Sequence, residues 1–76
     1  MSYRIEILSA ALEQRQKEVV EYQINIDNYR MAIEKIGNDP DLQEFKEQLR
    51  HLLQSSIIEQ KKANVIFDVI EQQLEE

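Results

Sequence analysis

Stepping from Ile5 alternately by three and four residues meets Leu8, Leu12, Arg15, Val19, Tyr22, Ile26, Tyr29, Ile33 and Ile36. Apart from Arg15, every residue in that series is apolar or aromatic. A repeat sustained over so many turns marks a coiled-coil arm, and its short period implies left-handed supercoiling with a partner helix. Isoleucine is a modest helix former, so packing against a neighbour has to hold the arm together. The pattern stops at Gly37-Asn38-Asp39-Pro40, where the only glycine and the only proline stand together. Glycine just past one helix and proline just inside the next is the usual asymmetry of helix ends. Asp39 is placed to cap the second helix. A connection this short makes the two arms antiparallel neighbours.

The second arm carries two overlapping apolar series. One runs Leu42, Phe45, Leu49, Leu52, Ser56, Glu59, Ala63, Ile66, Ile70 and Gln73; the other runs Leu49, Leu53, Ser56, Gln60, Ala63, Phe67, Ile70 and Leu74. Folding at the turn pairs residues whose numbers sum to roughly 78. With the first series facing the first arm, Tyr22 falls opposite Ser56, Val19 opposite Glu59 and Arg15 opposite Ala63. Large residues then meet small ones, as interdigitated layers require. Arg15 and Glu59 each interrupt an apolar series, and they are expected to pair across the hairpin and fix its register.

The second series is then left facing outward, widened by Ile57 and Ile58. On the first arm Val20, Ile24 and Met31 are also left uncovered. The interface expected from this pattern comprises Val20, Ile24, Met31, Leu53, Ile57, Gln60, Phe67 and Leu74. Long exposed apolar strips mark association surfaces. The fold read from the pattern is all-α: one antiparallel helical hairpin over 1–76, with helices at about 3–36 and 40–74 and a turn at 37–39. It is expected to assemble as a homodimer, a four-helix bundle built from two coiled-coil hairpins.

Composition narrows the remaining options. A chain of 76 residues closed by one seam buries little, so stabilisation has to come from association. There is no cysteine, which removes disulfides and thiolate metal sites. A net charge of −6 opposes direct binding to nucleic acid or an anionic membrane. No apolar run approaches the ~20 residues that cross a bilayer. The segment Met1-Ser2-Tyr3-Arg4-Ile5-Glu6 has no apolar stretch of the kind a signal peptide needs, so a cytoplasmic location is expected.

Candidate chemistry is sparse. The single histidine, His51, has Glu47 one turn away, but a carboxylate-bridged metal pair needs Glu-x-x-His motifs in duplicate. Ser55 and Ser56 have no general base at a workable position, and one glycine cannot build a phosphate loop. Tyr22 and Tyr29 read as rings filling wide layers with their hydroxyls at the rim. No catalytic residue, cofactor or metal site is expected.

The function expected is therefore a small non-catalytic interaction module that binds itself and another protein, as adaptor, chaperone or inhibitor. An alternative is an acidic decoy that occupies the basic groove of a nucleic-acid-binding protein, as some phage-encoded inhibitors do. Asn38-Asp39-Pro40-Asp41-Leu42, followed by Phe45, Leu49 and Val65-Ile66-Phe67-Asp68-Val69, also resembles the second half of type III secretion needle subunits. Those subunits are short hairpins with a proline turn, and their small co-chaperones are similar hairpins. The resemblance implies a needle-like or co-chaperone-like hairpin. It covers the second arm with a one-residue shift after the proline; the strict heptad of the first arm and the charged Leu74-Glu75-Glu76 end depart from it.

Overall fold

The turn explains the architecture. Gly37 takes φ +55°, a left-handed conformation that any side chain with a Cβ adopts at a cost. This reverses the chain and ends helix α1, Tyr3–Ile36. The Gly37 amide donates to the Ile33 carbonyl at 3.3 Å and the Asp39 amide to the Ile36 carbonyl at 3.1 Å. Two carbonyls of the turn accept side-chain donors from the second arm. The Lys46 ammonium donates to the Gly37 carbonyl at 2.7 Å, and Gln43 Nε2 donates to the Asp39 carbonyl at 2.7 Å. A cation at the end of a helix also complements the partial negative charge there.

Asp39 caps the start of the second arm, its carboxylate accepting from the Asp41 amide at 3.0 Å. That arm does not become α-helical at Pro40, as the pattern suggested. Pro40–Leu42 form one 3-10 turn, and helix α2 occupies Gln43–Glu75. The reason is local: the Leu42 amide bonds the Asp39 carbonyl three residues back, at 3.2 Å, which tightens the first turn. The computed structural model describes residues 3–76; Met1 and Ser2, on which part of the signal-peptide reading rests, lie outside the described residues. Among the described residues all regular structure is helical, and the two helices pack along their lengths. The Cα positions span 62 × 13 × 13 Å.

The arms run antiparallel near the expected register. At the open end Arg4 Nη2 donates to Gln73 Oε1 at 3.1 Å. At mid-length Gln60 Nε2 donates to the Val19 carbonyl at 3.1 Å and to Gln23 Oε1 at 2.9 Å. On α1 the expected heptad faces the partner: Ile26 is buried, and the rest of the series is half-buried except Ile5, which is exposed near the open end. Full burial of one such aliphatic side chain stabilises by about 1.5–3 kcal/mol.

Helix α2 is rotated by one heptad position from expectation. Its inward side consists of buried Leu49, Ala63 and Ile70 with half-buried Leu53, Ser56, Gln60, Phe67 and Leu74. Leu42, Phe45, Leu52, Glu59 and Ile66, all from the series expected to face α1, are exposed. A physical preference decides between the two seams. Facing Glu59 inward would desolvate a carboxylate. Facing Gln60 inward desolvates an amide, and both hydrogen-bond acceptors it reaches are on α1. A satisfied buried amide is far less costly than an unpaired buried charge.

Candidate interaction surface

Because α2 turns Leu49, Leu53, Phe67 and Leu74 toward α1, a different strip of it faces solvent. Phe45, Leu52, Ile66 and Val69 are between 44% and 49% exposed. With Ser55, Glu59 and Lys62 they form a three-four repeat, Leu52, Ser55, Glu59, Lys62, Ile66, Val69. The residues of α1 beside this strip also keep heptad spacing: Leu8, Ala11, Arg15, Glu18, Tyr22, Tyr29 and Ala32, all half-buried. Where the two rows meet at mid-length lies an open crevice of about 220 Å³, lined by Arg15, Glu18, Tyr22, Glu59, Lys62, Ala63 and Ile66. Enclosed ligand pockets run to ~300–1,000 Å³ and are mostly apolar. This crevice is small, charged at its rim and continuous with the apolar strip.

The charges on the crevice are organised in two rows. Arg15 Nη1 donates to Glu18 Oε2 at 2.9 Å. Lys62 Nζ donates to Glu59 Oε1 at 3.0 Å. The expected pairing of Arg15 with Glu59 is therefore replaced by two pairs, each within one helix. Rotation of α2 carries Glu59 out of the seam, and a residue three positions away supplies each partner without crossing the hairpin.

The other predicted interface residues divide in two. Leu53, Ile57, Gln60, Phe67 and Leu74 are half-buried on the side of α2 turned to α1, and Phe67 borders a second crevice with Gln16, Val19 and Asn64. They belong to the interior of the hairpin and are not an outward seam. Val20, Ile24 and Met31 are exposed, at 53%, 53% and 67%. His51 is exposed and stands 4.0 Å from Glu47 Oε1. Ser56 sits in the seam and Ser55 outside it.

The described residues include no group of three or more histidine, cysteine, aspartate or glutamate side chains placed to hold a metal ion. Among them, no helix is long and apolar enough to cross a membrane. No protein-family model, no curated protein and no solved structure matches the chain. Its surface therefore has to be interpreted from its own chemistry.

Accessible area bears on that interpretation. The hairpin exposes 5992 Å². A compact monomer of 9.1 kDa would expose about 4,900 Å² on the usual mass scaling. The excess of roughly 1,100 Å² exceeds the ~800 Å² that each partner contributes to a standard protein interface. Sequence reasoning assigned Phe45, Leu52 and Ile66 inward, and it passed over Val69, Glu18 and Lys62. The signal that finds them is the charge of the polar residue in each α2 series: Glu59 in one, Gln60 in the other.

Proposed function

We propose that this chain is a non-catalytic interaction module that associates with itself through apolar helical faces. Two hairpins form an antiparallel four-helix bundle, and the assembly acts on another protein as adaptor, chaperone or inhibitor. The observation that carries the reading is the exposed strip Phe45, Leu52, Ile66 and Val69, which runs along the edge of a hairpin whose buried apolar residues, among those described, are Ile26, Leu49, Ala63 and Ile70. So small a core leaves the fold dependent on further burial. Closing the strip against a second copy supplies it. Val20, Ile24 and Met31 then remain on the outside of the bundle as the surface for the other protein.

Sedimentation equilibrium at micromolar concentration tests the first step. A mass twice 9.1 kDa is expected, falling toward the monomer on dilution together with helicity. A particle of 9.1 kDa that keeps full helicity at all concentrations would sink the reading.

A further inference from the structure

The geometry points to how two copies meet: antiparallel, the turn of one hairpin against the open end of the other, with the charged rows of the crevices interlocked. This rests on the self-association proposed above and adds its orientation and register.

The charges on the crevice lie in two layers. Arg15 and Lys62 occupy one level of the hairpin, since their numbers sum to 77, close to the antiparallel register set by Arg4 with Gln73. Glu18 and Glu59 occupy the next level, their numbers also summing to 77. The layers are three residues apart, or about 4.5 Å. One is doubly positive and the other doubly negative. Both lie near the middle of α2, Gln43–Glu75.

Two-fold pairing across this edge has two solutions. Turn against turn sets α2 of one copy against α1 of the other at the same level. Lys62 then faces the second copy's Arg15, and Glu59 faces its Glu18, so both layers meet like charge. Turn against open end sets α2 on α2 and α1 on α1, with the axis crossing between the layers. Lys62 then faces the second copy's Glu59, and Arg15 faces its Glu18. The same surface is thus complementary to itself only in the second orientation, and like-charge juxtaposition selects against the first.

The apolar residues fit the orientation that the charges choose. With the axis midway between Glu59 and Lys62, residues of α2 whose numbers sum to 121 face each other. Leu52 meets the second copy's Val69, 48% exposed against 47%. On α1 the corresponding sum is 33, and the large Tyr22 meets the small Ala11. Isologous contact of this kind closes on itself and gives a dimer with no open end.

The absence of cysteine makes the test direct. Leu52→Cys and Val69→Cys are prepared as separate single variants, checked for unchanged helicity by circular dichroism, and oxidised alone and mixed. The expected result is a covalent dimer in the mixture and little in either variant alone, because the two copies of position 52 lie 17 residues apart along the bundle, about 25 Å. In parallel, Lys62→Glu should weaken self-association about tenfold or more, and Glu59→Lys with Lys62→Glu should restore it. A doubled mass without the mixed cross-link, or a charge exchange that leaves association as weak as Lys62→Glu alone, overturns the orientation and leaves self-association standing. A wild-type mass of 9.1 kDa at all concentrations overturns both.

Discussion

Glu59 and Gln60 are neighbours, and each interrupts one of the two apolar stripes of α2 at the same height. The fold treats them in opposite ways. Gln60 faces α1, where its amide reaches the Val19 carbonyl and the Gln23 side chain. Glu59 faces outward, paired with Lys62 at 3.0 Å. The stripe containing the neutral residue becomes the seam, and the residues peculiar to the other, among them Leu52, Glu59 and Ile66, are left with Val69 as an outer stripe. Apolar count alone cannot make this choice, since both stripes share Leu49, Ser56, Ala63 and Ile70 and differ by similar numbers of large residues. The desolvation of one polar group decides it.

The widest separation between the stripes should come from truncating the seam that the inner one forms with α1. Ile26→Ala, on the α1 side of that seam and only 2% exposed, is expected to lower unfolding free energy by about 2–5 kcal/mol. Phe67→Ala should approach the same range, because the half-buried ring stands on the side of α2 turned to α1, where it walls a crevice with Gln16, Val19 and Asn64. Urea titration reads both. If Phe67→Ala left stability intact and altered only the mass in solution, Phe67 would belong to the outer stripe and the rotation of α2 would be wrong.

Changing the outer stripe should do the reverse. Leu52→Asp with Val69→Asp is expected to bring the mass in solution to 9.1 kDa at micromolar concentration, with helicity retained in the cold. Some loss of thermal stability accompanies this, since association stabilises a folded chain by mass action. Unchanged mass in this variant would remove the outer stripe from any interface.

Exchanging the two polar residues probes the choice between the stripes directly. Gln60→Glu puts a carboxylate against the Val19 carbonyl and the Gln23 Oε1 atom, and it removes the donor that both acceptors use. A loss of about 1–3 kcal/mol is expected, measured as a fall in Tm that lessens as pH is lowered enough to protonate the new carboxyl. Glu59→Gln, on the outer stripe, should leave the unfolding of the monomer within about 0.5 kcal/mol. Equal effects at the two positions would mean that polarity does not choose the seam.

Much of this architecture is legible in the residues alone, and the limit has a physical origin. The turn announces itself because Gly37 and Pro40 restrict the backbone locally, and the heptad of α1 is unambiguous because only one apolar stripe competes for the seam. The antiparallel register is a consequence of the turn. On α2 two stripes compete, and the outcome depends on what Gln60 finds across the gap, which requires the geometry of the facing helix. Lys46 reaching back to the Gly37 carbonyl is invisible for the same reason: its partner is an acceptor created by the turn. The candidate surface inherits the ambiguity, since it is whichever stripe the seam leaves out.

The turn itself offers a smaller effect that is independent of both stripes. A Cβ on Gly37 would meet the Glu34 carbonyl oxygen at 3.8 Å, an ordinary contact, so Gly37→Ala carries no clash. Its penalty is conformational, from holding an alanine at φ +55°, and amounts to about 1–2 kcal/mol. The thermal midpoint should drop while the mass in solution stays as in the wild type. A Gly37→Ala protein as stable as the original would show that the turn relaxes to another conformation.

The smallest effect concerns the charges. Arg15 and Glu59 interrupt their heptads at points that invite a cross-hairpin ion pair, yet Arg15 binds Glu18 and Glu59 binds Lys62. Both pairs span three residues of one helix and keep substantial solvent access, with side-chain exposures of 42% and 26% for the first and 47% and 68% for the second. Exposed pairs of this kind contribute about 0.2–1 kcal/mol and are screened by salt. Double-mutant cycles on hairpin unfolding should therefore give small couplings for Arg15 with Glu18 and for Glu59 with Lys62, both vanishing in molar salt. The cycle for Arg15 with Glu59 should give none at any ionic strength, because no geometry in the hairpin or in the antiparallel dimer brings those two groups together as sole partners. A coupling above about 0.5 kcal/mol between them would return Glu59 to the seam. It would then place Gln60 outside, and the division of α2 into an inner and an outer stripe would have to be reversed.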